Sequence, residues 1–354
     1  MSKKKPLRLL IVGISSRPET FLVRLIVGLA KCGMRITISS KKRVNLKCEK
    51  AEIDWVPLSF LKLKFLLGQR WDAIYFPWNS AAIENIDLLE LGIPAIVSCR
   101  GSQINIAPHN PERESLIQGL KETFEKTAAV HCVCAHIKGA AMQYGLNPSK
   151  ASVIYPAVDP NFFYPVDKDD NKKFKIITVG SLVWCKGYEY ALMSVCKLIE
   201  KGIPIQFDII GDGPERQRVL YTIQDLGLEK NVTLHGRLSS VEVRNKLQES
   251  DVFLLSSLSE GVSNAVLEAM ACGLPIVTTD CGGMREAVQD GEEGLVVPVR
   301  DPEAMASALS KLASDKTLRT EMGKKARQRI LDKFTLERQI KEFTSLLEST
   351  CSAN

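Results

Sequence analysis

Short apolar runs alternate with amphipathic stretches along almost the whole chain. The first, "LRLLIVGIS" at residues 7–15, is apolar but for Arg8 up to Gly13 and reads as a strand buried on both faces. The next, "FLVRLIVGLAKCG", sets Phe21, Leu25 and Val27 to Leu29 at helical spacing and stops at Gly33, before a second strand, "MRITIS". "AIYFPW", "PAIVSC" and "AAVHCV" follow as short buried runs. This alternation predicts a parallel sheet with helical crossovers.

The rhythm breaks at "SVIYPAVDPNFFYPVDKDDNKK", residues 152–173, where three prolines precede a charged run. That composition predicts a linker between domains. Afterwards the alternation resumes. The strands are "FKIITVGSL", "IQFDII", "NVTLHGRL", "DVFLLSS" and "PIVTTD". The helices between them are "KGYEYALMSVCKLIEKG", "RQRVLYTIQDLGL", "SSVEVRNKLQES" and "NAVLEAMACG". From about Pro302 the pattern is helical throughout. The expected architecture is α/β, with two Rossmann-like domains in tandem. The expected boundaries are 1–157, 158–330 and a C-terminal helix, 331–354, packing back on the first domain.

Composition adds limits. The chain has 354 residues, 45% of them apolar and 25% charged, enough for two ordinary cores. No apolar run reaches the length of a membrane span. The N-terminal run lacks a small-residue cleavage site and reads as a first strand rather than a secretory leader. The ten cysteines show no C-x-x-C pairing, so reduced thiols in a cytosolic core are expected, and no metal site. Charge is unevenly shared. Residues 1–157 carry 22 basic against 12 acidic side chains, and the remainder 25 against 29. A basic front half suggests an anionic partner.

Ligands of open parallel sheets bind beyond the carboxyl ends of the strands, so the strand-to-helix turns are where chemistry is expected. After "IITVG" comes "SLVWCKG", with Lys186 just ahead of a helix. That position suits a diphosphate, since the ammonium adds to the partial charge of unpaired amides; an ordinary solvent lysine fits it equally. After "FDII" comes "GDGPER", either a close backbone approach or simply a tight turn. After "DVFLLSS" comes "LSEGVSNAVLEAMACG". Here Glu260 lies in the turn, Ser263 is a candidate N-cap, and Glu268 sits one turn into a helix. The neighbours of Glu268 are nearly all apolar, which favours a buried carboxylate with partners over a surface one.

Taken in order, "VGSLVWCKG", "GDGPER", "VTLHGRLS", "DVFLLSSLSEGVSNAVLEAMACGLPIVTTDCGGMREAV" and "GEEGLVVPVRDPEAMASAL" resemble glycosyltransferase family 4. These are retaining enzymes of the GT-B fold, whose two Rossmann-like domains face a central cleft. The match is dense over residues 150–310 and thin before them. The resemblance implies that Lys186 binds the donor diphosphate and that Glu268 holds the ribose hydroxyls. It implies that Glu260 contacts the transferred sugar or its phosphate and that the amides of Ser263, Asn264 and Ala265 line the phosphate pocket. Arg237 would lie beside the base. Gly13, Ser181, Gly211, Leu238 and Val262 complete the expected donor-binding set, and Glu260, Lys186 and Arg100 the catalytic one. No cofactor or metal is implied, because Lys186 and the helix amides neutralise the leaving diphosphate.

Two positions depart from the family. Ser181 stands where a second phosphate-binding arginine is common, and Arg100 where a histidine is often found close to the transferred sugar. Arginine is donor-only and does not act as a base; it grips phosphate or carboxylate. The expected activity is transfer of a hexose from a UDP- or GDP-sugar to a glycan, lipid or small-molecule acceptor. The alternative, motivated by those departures, is a catalytically weak sugar-nucleotide-binding subunit. No aromatic–basic pattern suggests nucleic acid. "LSFLKLKFLLGQRW" with "SKKR" (40–43) reads either as a basic surface for an anionic membrane or as a core helix with a solvated edge. The expected location is cytoplasmic, with peripheral membrane contact on the first of these readings.

Overall fold

The computed structural model describes residues 6–352 except 17, 45, 47–52, 62–63, 65–67 and 168–172. The chain divides into two compact units, one formed by residues 1–156 with 336–354, the other by 157–335.

The first unit holds seven strands: β1 (Arg8–Val12), β2 (Arg35–Ser40), β3 (Ile53–Pro57), β4 (Ala73–Phe76), β5 (Ala95–Cys99), β6 (Ala129–Cys132) and β7 (Ala151–Val153). They pair in the order β3-β2-β1-β4-β5-β6-β7, all parallel. The strand order reverses between β1 and β4, the switch point at which such sheets take ligands. The helices flanking this sheet include α1 (Thr20–Lys31), whose apolar face carries Leu22, Leu25, Ile26 and Leu29 into the core. Short helices α2 (Asn79–Glu84) and α3 (Gly101–Asn105) follow β4 and β5; α4 (Glu114–Lys126) and α5 (Ala135–Met142) come next.

The second unit repeats the plan with β8 (Phe174–Val179), β9 (Ile205–Ile210), β10 (Val232–Gly236), β11 (Val252–Leu255), β12 (Ile276–Thr279) and β13 (Gly294–Val297). Their order is β10-β9-β8-β11-β12-β13, so the switch point lies between β8 and β11. The helices are α6 (Tyr188–Glu200), α7 (Arg216–Asp225), α8 (Ser240–Glu249), α9 (Asn264–Ala271), α10 (Met284–Ala287), α11 (Pro302–Ser314) and α12 (Lys316–Lys333). Three of them start from a side-chain cap. For α8 it is a capping box between Ser239 and Glu242; for α11 and α12, aspartate caps at Asp301 and Asp315.

Three expectations are corrected. Residues 151–153, partly inside the expected linker, pair with β6 as an edge strand, so the connection between units starts later. β3 and β13 belong to the sheets although no strand was expected there. The last helix, α13 (Leu336–Ser352), starts five residues after the expected 331, because α12 runs on to Lys333. Of the basic stretch, Leu58–Phe60 forms a 3-10 turn and Lys64 is exposed, while Lys62 lies outside the described residues. Lys41, Lys42 and Arg43 are exposed, and Lys41 pairs with Glu84 at 3.5 Å. No helix among the described residues is long and apolar enough to cross a membrane.

α13 belongs to the first unit and completes its core. Gly28 of α1 admits it closely; a Cβ there would stand 2.2 Å from Ile340 Cδ1. Phe343 is 1% exposed and packs edge-on against Tyr75 and His131, with ring centroids 5.6 and 4.6 Å away. Truncating such a side chain leaves a cavity that the sheet cannot close. Phe343→Ala is therefore expected to lower stability by about 3–5 kcal/mol in urea unfolding. A loss under about 1 kcal/mol would show that α13 is not a core element.

Candidate active site

The carboxyl ends of β8 and β11 flank the switch point of the second unit, and the turns after them carry Lys186 and Glu260. The ammonium of Lys186 forms an ion pair with Glu260 Oε1. Their side chains are 21% and 12% exposed. Ser257 Oγ donates to the same carboxylate oxygen at 2.8 Å. Burial alone would depress the Lys186 pKa, but the charge of Glu260 and its hydrogen bond outweigh that and raise it. Around the pair, burial pushes the Cys281 thiol up to about 12 and raises the Cys185 thiol and the Tyr188 hydroxyl. All three stay protonated at neutral pH, so the lysine and the glutamate are the charges of this pocket floor.

Backbone contacts set the pair in place. Lys186 ends a 3-10 turn (Trp184–Lys186), and Gly187 then enters α6 in a left-handed conformation, φ 59°. The Leu258 amide donates to Cys185 O at 2.7 Å, and Ser256 Oγ to Lys186 O at 2.8 Å. The first glycine of "DCGG", Gly282, has φ 57°, and a Cβ on it would stand 1.8 Å from Glu260 O. Only glycine fits both the conformation and the space. "GDGPER" is likewise a close approach. A Cβ at Gly211 would stand 1.8 Å from Gly180 O, and one at Gly213 2.4 Å from Leu182 O. The amide of Gly211 in turn donates to Gly236 O at 2.8 Å.

These contacts bring Ser181, Lys186, Gly211, Arg237, Leu238, Glu260 and the start of α9 to one edge of one sheet. Ser181 and Arg237 are exposed, and Leu238 is half-buried. Val262 and Ser263 are buried. Along α9, Asn264, Ala265 and Glu268 are half-buried while Val266, Leu267, Ala269, Met270 and Ala271 are buried, so the helix shows one accessible strip containing Glu268. Ser263 occupies the N-cap position but its hydroxyl caps nothing, against expectation. The amides at the start of α9 lack intrahelical acceptors by the geometry of any helix. Asn264 Oδ1 beside them is buried without a partner among the described residues.

Gly13 and Arg100 belong to the first unit. Gly13 ends β1 with φ 85°, and a Cβ there would stand 2.3 Å from Ala81 Cβ. Arg100 precedes α3 at the end of β5, with Nε donating to Pro77 O at 3.1 Å. Sequence reasoning missed Ser257, Thr279 and Gly282. Thr279 Oγ1 donates to Ser257 O at 2.5 Å and so holds the serine that holds Glu260. The short polar run Ser256–Ser257 straight after a buried strand was the available signal. Among the described residues, no group of three or more His, Cys, Asp or Glu side chains is placed to hold a metal ion.

Residues 163–329 match the family model described as glycosyl transferases group 1. The UDP-Gal:alpha-D-GlcNAc-diphosphoundecaprenol alpha-1,3-galactosyltransferase of Escherichia coli is 29% identical over 302 residues, covering 80% of this chain and 76% of that protein. The glycosyltransferase WcaL of Escherichia coli K12, assigned to colanic acid biosynthesis, is 32% identical over 60% of this chain and 54% of its own length. The chain thus spans about half the length of that relative. Among solved structures, Anabaena HepE in complex with UDP superposes with a TM-score of 0.80 at 17% identity, over 98% of this chain and 100% of that one. That likeness, with the two parallel sheets, shows the GT-B fold. The second unit thus carries the match to the glycosyl transferases group 1 model, and both units carry the GT-B fold.

Proposed function

We propose that the chain is a retaining hexosyltransferase that takes a hexose from a nucleotide-diphosphate sugar, UDP- or GDP-linked, to a glycan, lipid or small-molecule acceptor. The observation that carries this reading is the Lys186–Glu260 pair, set at the switch point beside the N-terminus of α9. The relatives support the donor and acceptor classes: one is named for UDP-Gal and a diphosphoundecaprenol acceptor, and another was solved with UDP.

In this reading the bond between the anomeric carbon and the β-phosphate oxygen breaks, and a glycosidic bond forms on the same face. Negative charge grows on the leaving diphosphate. The Lys186 ammonium and the amides at the start of α9, Ser263 to Ala265, meet it there, in a pocket already shaped for it. They supply charge that a metal ion supplies elsewhere. Glu260 contacts the transferred sugar, Glu268 accepts from the ribose hydroxyls, and Arg237 and Leu238 flank the base. Without donor, Lys186 and Glu260 satisfy one another; donor phosphate takes over the lysine and frees the carboxylate for the sugar. Arg100, in the first unit, binds an anionic group of a substrate. The exposed Lys41, Lys42 and Arg43 suit contact with an anionic membrane surface at the cytoplasmic face.

A thermal-shift screen over UDP-, GDP- and ADP-sugars is expected to show stabilisation by one nucleotide class, since a ligand that binds only the native state stabilises it. A flat response would overturn the donor reading, and binding with no transfer across an acceptor panel would favour a non-catalytic subunit. Lys186→Ala is expected to weaken UDP binding in calorimetry by about ten- to a hundred-fold, the value of a charged hydrogen bond. Glu260→Gln is expected to bind UDP as tightly or tighter, because the ammonium is released, yet to lose about 10²-fold or more in transfer. Wild-type UDP affinity in Lys186→Ala would remove the lysine from the phosphate site. Co-sedimentation with anionic but not neutral liposomes is expected on the membrane reading; equal partition would refute it.

A further inference from the structure

Arg100 is held from several sides. Its Nε donates to Pro77 O at 3.1 Å and its Nη2 to the Tyr75 hydroxyl at 3.3 Å. The guanidinium carbon lies 4.7 Å from the Phe21 ring centroid and 5.5 Å from that of Trp78, and the two rings meet edge to face beside it. Nη1 has no hydrogen-bond partner among the described residues. Asn79, next to Trp78, is fully buried with neither amide atom partnered among the described residues, which is costly and marks a site where stability has been given up.

Behind Arg100 runs a buried chain. The Tyr75 hydroxyl meets Ser98 Oγ at 2.8 Å, Ser98 Oγ meets His131 Nδ1 at 2.7 Å, and His131 Nε2 meets Ile154 O at 2.8 Å. All three side chains are at most 1% exposed. The two ends fix every hydrogen between them. A carbonyl only accepts, so Nε2 carries the hydrogen and donates to Ile154. Burial, and then the charge of Arg100, lower the His131 pKa to about 3, so the ring is neutral and Nδ1 accepts. Ser98 therefore donates to His131 and accepts from Tyr75. Tyr75 donates to Ser98 and accepts from Arg100, which is donor-only. Arg100, Tyr75, Ser98 and His131 thus donate in one direction, ending on Ile154 O, and Phe343 of α13 closes the chain by packing on both Tyr75 and His131.

We propose that Tyr75, Ser98 and His131 are positioning residues that hold the Arg100 guanidinium in one orientation, with Nη1 turned to a phosphate or carboxylate group of a substrate. The chain of donors leaves Tyr75 one free lone-pair direction, and Arg100 takes it. The hydrogen bonds to Pro77 O and the Tyr75 hydroxyl fix the guanidinium, with Phe21 and Trp78 packed beside it. This proposal rests on the reading of Arg100 as a substrate-binding residue, and its test separates the two.

The test compares the full-length wild-type chain with Arg100→Ala, Tyr75→Phe, Ser98→Ala and the double variant Arg100→Ala/Tyr75→Phe. Turnover of UDP-glucose and of UDP-glucuronate is the kinetic readout. Arg100→Ala is expected to lower kcat/KM by roughly ten- to a hundred-fold, and Tyr75→Phe and Ser98→Ala in the same direction, because misplacement of a binding group costs this much. The double variant is expected to be no slower than Arg100→Ala alone, since residues acting through one another are not additive. Additive losses would overturn the positioning role. An unchanged Arg100→Ala would instead overturn the reading of Arg100 itself. A loss confined to UDP-glucuronate assigns the anion to the donor sugar; an equal loss with both donors assigns it to the diphosphate or the acceptor. Nitrogen NMR of His131 gives a readout independent of turnover. A neutral ring protonated on Nε2 is expected from about pH 5 to pH 9, and a ring that titrates in that range or is protonated on Nδ1 would overturn the directed chain.

Discussion

The site in the second unit depends on backbone packed directly against backbone. Four turns at the strand ends leave no room for side chains between them: Gly211 lies on Gly180, Gly213 on Leu182, Gly187 on Ser256 and Gly282 on Glu260. A turn fixed by its own main chain has little freedom to relax. The charged side chains that leave such turns start from fixed points, and that is how residues 74 positions apart come to share a proton-bearing contact. Preorganisation of this kind costs nothing at the moment of reaction, because the dipoles and charges are already aimed.

The lysine and the glutamate also need one another. A carboxylate or an ammonium that is only a fifth exposed or less is unfavourable alone, and removing one partner leaves the other uncompensated. Ser257 and, behind it, Thr279 spread the load over two more hydrogen bonds. The pair therefore keeps either charge from being left alone in a half-buried setting.

The sequence made the architecture readable where runs were long. β1, β8 and β9 are largely apolar segments each followed by glycine, and α6 and α8 carry clear periodicity and ends. β3, β7 and β13 were not readable, because three to five partly exposed residues carry almost no period-two signal. Pro156 and Pro160 also drew the expected linker back over β7. In the site, the spacing of Glu260 and Glu268 was visible from the string alone. The partnership of Lys186 with Glu260 was not, since it depends on the order in which strands pair, and neither was the serine–histidine chain behind Arg100, whose members sit on three adjacent strands. Ser263 shows the limit of local rules: the residue type and position were right for a cap, and its hydroxyl makes no cap hydrogen bond.

The return of α13 to the first unit has a consequence for biosynthesis. Residues 157–335 form a contiguous unit that has every strand and helix it needs once its own segment has left the ribosome. The first unit begins earlier but finishes last. Its sheet, complete in sequence by Val153, waits with the surface beneath Tyr75 and His131 uncovered until Phe343 and Leu347 have been made. The order of emergence and the order of completion are therefore reversed, and an apolar face stays open in the interval.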